Sequence, residues 1–140
     1  MLISTKGRYA LRIMIDLAQQ QSGEYAILMD IAERQQISEK YLESIVNSLS
    51  KAGLVQAQRG RGGGYRLARA AGEYTVGEII RQAEGHIAPV SCLKTGNNEC
   101  EKAADCLTLP LWEELDRRTN EYLDEVTLED LIHGRVEKRM

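Results

Sequence analysis

Three cysteines in the C-terminal half of this chain could bind a metal or respond to oxidation. They are Cys92, Cys100 and Cys106, spaced Cys-x7-Cys-x5-Cys, and the 140-residue chain has no other cysteine. A tetrahedral zinc site or a cysteine-only iron–sulfur cluster usually takes four thiolates, so one donor is missing. The spacing is wider than the paired Cys-x2-Cys of zinc knuckles and suits a loop wrapped around a larger cofactor. Spacing alone leaves four interpretations open: an iron–sulfur cluster, zinc, thiol redox sensing, or inert thiols.

A second candidate site is the glycine-rich run RGRGGGY at residues 59–65. A phosphate-binding loop needs a helix directly after its glycines, so that the helix's N-terminal amides face the phosphate. Residues 65–69 alternate like a strand instead, which favours the tip of a β-hairpin. Glycines let such a tip approach a DNA groove closely, and arginine is favoured in narrow minor grooves. Arg59 and Arg61 are therefore predicted DNA contacts; the alternative is a plain hairpin with exposed arginines.

The third candidate site is the start of a predicted helix that reads EKYLESIVNSLSKA and follows Ser38. It is the second helix of a predicted helix-turn-helix, in which the N-terminal residues normally face base edges in the major groove. Ser38, Lys40 and Tyr41 can donate hydrogen bonds to phosphates or bases. Glu43 can accept a hydrogen bond from a cytosine amino group or tune selectivity. A solvent-facing Glu43 without a role is the alternative.

Six helices and one hairpin are predicted to position these candidate residues. Helical spacing and capping residues predict a first helix to about Gln20, a short second helix in MDIAERQQ, and the helix after Ser38. A fourth helix follows Thr75, a long fifth begins at Thr108, and a short sixth follows Thr127. In the first helix the apolar positions are interrupted by polar residues, which makes the helix amphipathic. These polar residues are Arg8, Arg12 and Asp16.

The predicted fold class is mainly α with a small β-hairpin. We expect a winged helix-turn-helix DNA-binding domain over residues 1–85, a cysteine-containing cofactor loop over residues 86–106, and a dimerisation helix with a short C-terminal helix over residues 107–140. The long helix has little of its own domain to bury against, so it is expected to pack on the same helix of a second subunit and form a two-fold homodimer. Its apolar stripe is Leu111, Leu115, Tyr122 and Val126.

The net charge of −3 hides a split between the two halves of the chain. Residues 1–74 carry ten Lys/Arg against seven Asp/Glu, which gives +3, and residues 75–140 carry eight against fourteen, which gives −6. Six basic residues and two acidic ones fall within residues 38–69, which predicts a polyanion-binding face. The alternative is a solvated mixed surface. The six basic residues are Lys40, Lys51, Arg59, Arg61, Arg66 and Arg69.

The sequence also indicates in which cellular compartment the protein acts and whether it is an enzyme. The amphipathic N-terminal helix is neither a signal peptide nor a membrane span, so we expect a cytoplasmic protein that makes no membrane contact. Thiols stay reduced in that compartment, which favours metal binding or redox sensing over structural disulfides. No Ser/His/Asp or Cys/His arrangement is visible, and we therefore expect no enzymatic activity.

The order of these segments resembles the IscR-type family of winged-helix transcriptional regulators. The matching segments are STKGRYALRIM, MDIAERQQ, ISEKYLESIVNSLSKAGLV, RGRGGGYRLA, TVGEII, the three cysteines and LW, and they run from residue 1 to about residue 132. The resemblance implies a homodimer that binds double-stranded DNA at a palindromic operator through Ser38 to Glu43 and through Arg59. It also implies an iron–sulfur cluster on Cys92, Cys100 and Cys106, of the two-iron two-sulfur type.

One position departs from the family pattern. IscR-like members place a histidine ligand three residues after the last cysteine, where this chain has Leu109. Some relatives recruit a donor from the first helix of the partner subunit, but the matching positions here are Arg8 and Arg12, and neither ligates iron readily. We rank an acidic residue of the loop first as fourth ligand, an external small thiol or water second, and a loop histidine third. The loop candidates are Asp105, Glu99, Glu101 and His86.

The function predicted from the sequence is a DNA-binding regulator whose operator binding is controlled by an iron–sulfur cluster. Genes of iron–sulfur cluster biogenesis or related stress responses are the expected targets. Two alternatives stay open. One is a cofactor-free regulator that senses thiol oxidation or a cysteine-metabolism signal, and the other is a zinc-stabilised interaction module with no role on DNA.

Overall fold

A computed structural model describes residues 3–20, 23–93 and 103–138 of the chain. Within these ranges the structure is mostly helical, with one antiparallel hairpin, as the sequence predicts. The helices are α1 (Thr5–Gln19), α2 (Leu28–Gln35), α3 (Glu39–Lys51), α4 (Val76–Glu84), α5 (Leu109–Glu125) and α6 (Leu128–Ile132). The strands are β1 (Val55–Gln58) and β2 (Gly64–Leu67).

The first three helices form the helix-turn-helix and its supporting core. Ser4 caps α1 through a hydrogen bond from the Gly7 amide, and Ser38 caps α3 through one from the Tyr41 amide. Between α2 and α3 the chain turns at Gln36, a non-glycine residue in the left-handed conformation with φ of 54°. The apolar faces of the three helices meet in one buried cluster, to which α2 contributes Ile31. Other members are Ala10, Ile13, Met14, Leu17, Leu42, Ile45, Val46 and Leu49.

The hairpin of β1 and β2 is the wing, and two contacts fix its base. Val55 pairs with Leu67 and Gln58 with Gly64. Ala26 and Tyr65 exchange both backbone hydrogen bonds, at 2.7 and 2.8 Å, so the segment before α2 pairs with the wing. Tyr74 is fully buried, and its hydroxyl donates to the Leu54 carbonyl and accepts from the amides of residues 68 and 69.

Of the remaining helices, α4 and α6 pack against α1, and α5 packs against α4. α4 contacts α1, and a second small cluster joins Val76, Ile80 and Ile87 to Leu123 and Val126. Thr75 caps α4 by accepting the Glu78 amide, but the two residues form no reciprocal capping box, because the Glu78 carboxylate pairs with Arg69 instead. Thr127 and Asp130 do form a full capping box at α6.

Helix α5 differs from the other long helices because it contains no buried residue. It is held to α4 by Arg81, which hydrogen-bonds to Asn120 and pairs with Asp124. Leu111 is 59 % exposed, Leu115 39 % and Tyr122 51 %. Val126 leaves the predicted stripe, because the helix ends at Glu125 and Val126 packs into the second cluster of its own chain.

No helix in the described part of the chain is long and apolar enough to cross a membrane.

Candidate nucleic-acid interface and cysteine site

The first turn of α3 exposes the side chains that the sequence predicts for base contact. Lys40 and Glu43 are exposed, while Leu42 and Ile45 are buried on the opposite side of the helix. Ser38 is exposed too; its hydroxyl oxygen accepts the Tyr41 amide at 3.2 Å, and its proton remains free to be donated to a phosphate or base. The predicted contact set therefore lies together on one turn, with Lys40 as its cation.

Tyr41 is also fixed by a contact with α1. Its ring meets the ring of Tyr9 edge-on, with centroids 5.8 Å apart and the planes at 69°. The guanidinium of Arg12 lies 5.2 Å from the Tyr9 ring centroid on the same helix. Edge-to-face aromatic pairs and cation–π contacts each contribute of order 1 kcal/mol. The start of α3 is thus held against α1 by an aromatic contact.

A buried carboxylate fixes the end of α2 and the turn before α3. Asp16 is 2 % exposed, and it accepts two hydrogen bonds from Arg34, at 2.8 and 3.0 Å, and one from the Gln35 amide group at 2.8 Å. The bond to Asp16 raises the pKa of Arg34 above its usual value. Arg12 donates to the side-chain oxygen of Gln35 and to its backbone carbonyl, at 3.1 and 2.6 Å.

This network was missed from the sequence. The amphipathic pattern places Asp16 with the polar residues of α1, but α2 packs over that side of the helix and buries it. An acidic residue between the apolar positions Met14 and Leu17 was the available signal. Burying a carboxylate is costly unless it is paired and hydrogen-bonded, and here three donors meet that requirement. The network connects α1 to the turn between α2 and α3, which sets the direction of α3.

The tip of the wing presents two arginines on a glycine turn. Arg59 and Arg61 are exposed, and neither has an ion pair or hydrogen bond with any residue in the described ranges. The Gly63 amide donates to the Gly60 carbonyl at 3.0 Å. Gly60 and Gly62 have φ of 91° and 72°, backbone angles that residues with a Cβ rarely adopt. The glycines are therefore needed for the turn that projects the two arginines.

Two of the six basic residues counted in the sequence are used inside the protein. Arg66 stacks on the Tyr25 ring at 4.4 Å and donates to Gln56 and to the Gly23 carbonyl. Arg69 pairs with Glu78 at 2.6 Å and lies over the ring of Tyr74. The cations left for a polyanion are fewer than the sequence count predicts. They are Lys40, Lys51, Arg59 and Arg61.

Replacing Arg59 or Arg61 with Ala is expected to weaken operator binding by roughly 1–3 kcal/mol, because each guanidinium would lose a contact in the minor groove. Fluorescence anisotropy over a salt series should also show a shallower salt dependence. The matched control is Arg66→Ala, since Arg66 is already engaged with Gln56 and Tyr25. Unchanged affinity in both wing variants would remove the wing from the mechanism.

The cysteine loop is described only in part. Cys92 lies in a 3₁₀ turn, Ser91–Leu93, and Cys106 follows a second one, Ala103–Asp105; both thiols are free and half-buried. These turns are more regular than the predicted irregular loop. Hydrogen bonds from Thr108, whose hydroxyl lies 3.4 Å from the Cys106 sulfur, lower the pKa of the Cys106 thiol and favour the thiolate, the form that binds metals.

The structure describes only some of the residues that were predicted as a fourth ligand. Cys100, Glu99 and Glu101 lie outside the described residues. Asp105 and His86 are exposed, and Asp105 does not cap α5, which begins after Thr108 without a side-chain cap. Within residues 3–20, 23–93 and 103–138, no three His, Cys, Asp or Glu side chains are grouped closely enough to hold a metal ion. The two described thiols are thus too few for a cluster without Cys100 and a further donor.

Comparison with known proteins identifies the class to which this arrangement belongs. Residues 3–134 match the Rrf2 family model, described as iron-dependent transcriptional regulator. The transcriptional regulator IscR of Vibrio atlanticus is 39% identical over 132 residues, which cover 94% of this chain and 75% of that protein.

Two solved structures share the fold. CymR, the global cysteine regulator of B. subtilis, superposes with a TM-score of 0.78 at 41% identity and covers 98% of this chain and 99% of that one. T. potens IscR gives 0.76 at 38% identity, with 100% and 92% covered. The similarity runs through the helix-turn-helix, the wing and α5, and the chain belongs to the Rrf2 family of winged-helix transcriptional regulators.

Proposed function

We propose that the protein is a cytoplasmic, homodimeric regulator that binds a palindromic operator in double-stranded DNA. The first turn of α3, with Ser38, Lys40, Tyr41 and Glu43, enters the major groove, and the wing arginines enter the adjacent minor groove. The observation that carries this proposal is the set of exposed, unpaired cations on α3 and the wing of an otherwise acidic protein. Such cations supply the electrostatic part of DNA binding.

Dimerisation is supported by the exposed apolar stripe of α5. A 17-residue helix with no buried residue, and with Leu111 59 % and Tyr122 51 % exposed, has apolar surface that its own subunit does not cover. Contiguous exposed apolar surface of this kind marks interaction sites. A second copy of α5, related by a two-fold axis, would bury the stripe and set two α3 helices at a fixed half-site spacing.

Control of DNA binding by an iron–sulfur cluster is the finer part of the proposal. Cys92, Cys100 and Cys106 would hold a two-iron two-sulfur cluster, which supplies a redox-sensitive, labile group when bound. The free, half-buried thiols of Cys92 and Cys106 suit this role, as does the family's description as iron-dependent. Leu109 has no donor atom, so the fourth ligand would come from an acidic loop residue, an external thiol or water, or His86. The expected targets are genes of iron–sulfur cluster biogenesis or related stress responses.

Purification without oxygen, followed by iron and acid-labile sulfide analysis, tests the cluster. We expect a brown protein with about two iron and two sulfide per subunit, because a two-iron two-sulfur cluster contains that many of each. Its visible absorbance should be lost in air. Cys92→Ser should stay colourless, whereas Ser91→Ala, a neighbouring exposed residue that is not a predicted ligand, should match the parent. A colourless parent protein without iron would refute the proposed cluster. It would not refute DNA binding, which the operator titrations measure.

A cofactor-free thiol regulator is the second candidate. Two observations favour it: the lowered pKa of the Cys106 thiol, and a 41% identical structural relative described as a global cysteine regulator. If this candidate is correct, iron analysis of the anaerobic protein will be negative, and a thiol oxidant will change operator affinity in the parent but not in Cys106→Ser. The zinc-stabilised module without a DNA role is set aside, because the family consists of transcriptional regulators.

A further inference from the structure

A groove of about 540 Å³ lies between the second half of α3 and the wing. Asn47, Ser50 and Lys51 line it from α3, and Gln58 and Arg59 line it from the wing. Ile27 and Leu28, at the start of α2, form part of its apolar surface, together with Ala57 and Tyr65 of the wing. On the wing side Gly63 and Gly64 present backbone only, because a Cβ on either would clash with a carbonyl oxygen of the hairpin or of Ala26.

The charge of this groove distinguishes it from two neighbouring cavities. None of its lining residues is acidic, and Lys51 and Arg59 are exposed with no ionic or hydrogen-bond partner among the residues that the structure describes. The two neighbouring cavities mix both signs of charge: the one behind the wing has Glu24 and Glu129 beside two arginines, and the one beside α2 has Glu24 and Asp30 beside Arg34. Two free cations without a carboxylate beside them favour an anion. The groove also offers amide and hydroxyl donors from Asn47, Ser50 and Gln58.

The position of the groove between α3 and the wing indicates which anion it would bind. On the proposed function, α3 occupies a major groove and the wing tip the neighbouring minor groove. A major groove and its neighbouring minor groove are separated by one phosphodiester strand of the duplex. The cavity that lies between α3 and the wing is where that strand would have to pass.

We propose that this groove seats the DNA phosphodiester strand, with the Lys51 ammonium as its principal phosphate contact. Asn47, Ser50 and Gln58 donate hydrogen bonds to the same strand. The assignment rests on the proposed function and extends it to residues outside the first turn of α3. Phosphate contacts fix register and affinity but carry no sequence information, so Lys51 sets how tightly any duplex binds and not which operator is preferred.

Lys51→Gln in the intact dimer tests the assignment, with fluorescence anisotropy on a selected operator and on an unrelated duplex of equal length over a salt series. Loss of one phosphate contact per subunit should reduce the slope of log affinity against log salt by about 1.8 per dimer, since each contact contributes about 0.9. At about 0.1 M salt the affinity should fall roughly five- to tenfold per contact, by the same factor for both duplexes.

Two control variants separate charge from folding. Lys51→Arg keeps the cation and should keep the parent's salt slope, and Lys138→Gln, which removes an exposed lysine of the C-terminal tail, should change neither slope nor affinity. An unchanged slope in Lys51→Gln, or a loss confined to the operator duplex, would overturn the groove assignment while DNA binding stands. A parent protein that binds neither duplex would overturn the proposed function and the groove together.

Discussion

Replacing Leu115 with Asp is expected to convert the protein into a folded monomer and to weaken operator binding by about 10²- to 10⁴-fold. The side chain is 39 % exposed and lies in the apolar stripe of α5, in line with Leu111 and Tyr122 at helical spacing. A carboxylate there would lie unpaired in the interface, opposite its own copy, where burial and like-charge repulsion both oppose association. The loss of affinity follows because linked half-site binding is lost.

The matched control is Glu113→Ala on the same helix. At 100° per residue, Glu113 points away from the stripe, and its side chain is exposed. Sedimentation velocity of Glu113→Ala should therefore still show a dimer, and its affinity for the operator should equal that of the parent protein. Because none of the α5 residues is buried within the subunit, Leu115→Asp should leave the far-ultraviolet circular dichroism unchanged. A Leu115→Asp protein that still sediments as a dimer would place the subunit contact elsewhere.

Replacing Arg34 with Ala is expected to lower the free energy of unfolding by about 2–3 kcal/mol. Removing one partner of a buried pair costs about 3–5 kcal/mol, and the partial exposure of Arg34 places this case near or below the lower end. The variant leaves the buried Asp16 carboxylate with the Gln35 amide as its remaining donor among the described residues. Asp16→Asn should cost less, because the asparagine oxygen keeps an acceptor in place without a charge.

Urea denaturation of the parent protein, Arg34→Ala and Asp16→Asn measures these changes in the free energy of unfolding. Arg135 supplies the comparison, because it pairs with Glu129 and Asp130 at an exposed site, where Arg135→Ala should cost no more than about 1 kcal/mol. Equal stability losses in Arg34→Ala and Arg135→Ala would mean that the Asp16 network contributes no more than a surface pair. Operator binding by the folded Arg34→Ala fraction then reports whether the turn before α3 has moved.

Most helices could be predicted because their ends carry local signals. Ser4, Ser38, Thr75 and Thr127 each cap the helix that follows them, and Gly53, with φ of 77°, follows the end of α3. These interactions span three or four residues, so the sequence contains both partners. The wing was predictable for the same reason, since its strands flank a short glycine tip.

Contacts between distant residues were not predictable from spacing. Arg66 and Arg69 count as free cations in the sequence, yet they are taken up by Tyr25, Gln56 and Glu78. Burial of Asp16 depends on the packing of α2 against α1, and Val126 turns inward because α5 ends one residue before it. In each case the side chain follows a tertiary partner that no local pattern identifies.

The candidate cofactor site was predictable only as a set of donor types. Three cysteines with their spacing indicate a metal or redox function, but the fourth donor depends on how the loop folds, and Leu109 removes the expected histidine. The structure adds that Cys106 lies beside the Thr108 hydroxyl, at the start of the helix proposed to form the dimer. A cluster bound there would therefore connect directly to the subunit contact that spaces the two α3 helices.

Control of DNA binding by the cluster can be measured by titrating DNA with one protein preparation in its cluster-loaded and cluster-free forms. Operators are selected from a randomised duplex pool with cluster-loaded and with cluster-free protein, and each is titrated with both forms without oxygen. We expect the two forms to differ at least roughly tenfold in affinity for one of the operators, a coupling within the usual allosteric range. Cys92→Ser should behave as the cluster-free form throughout. Equal affinities of the loaded and cluster-free dimers for every selected operator would mean that the cluster does not control DNA binding.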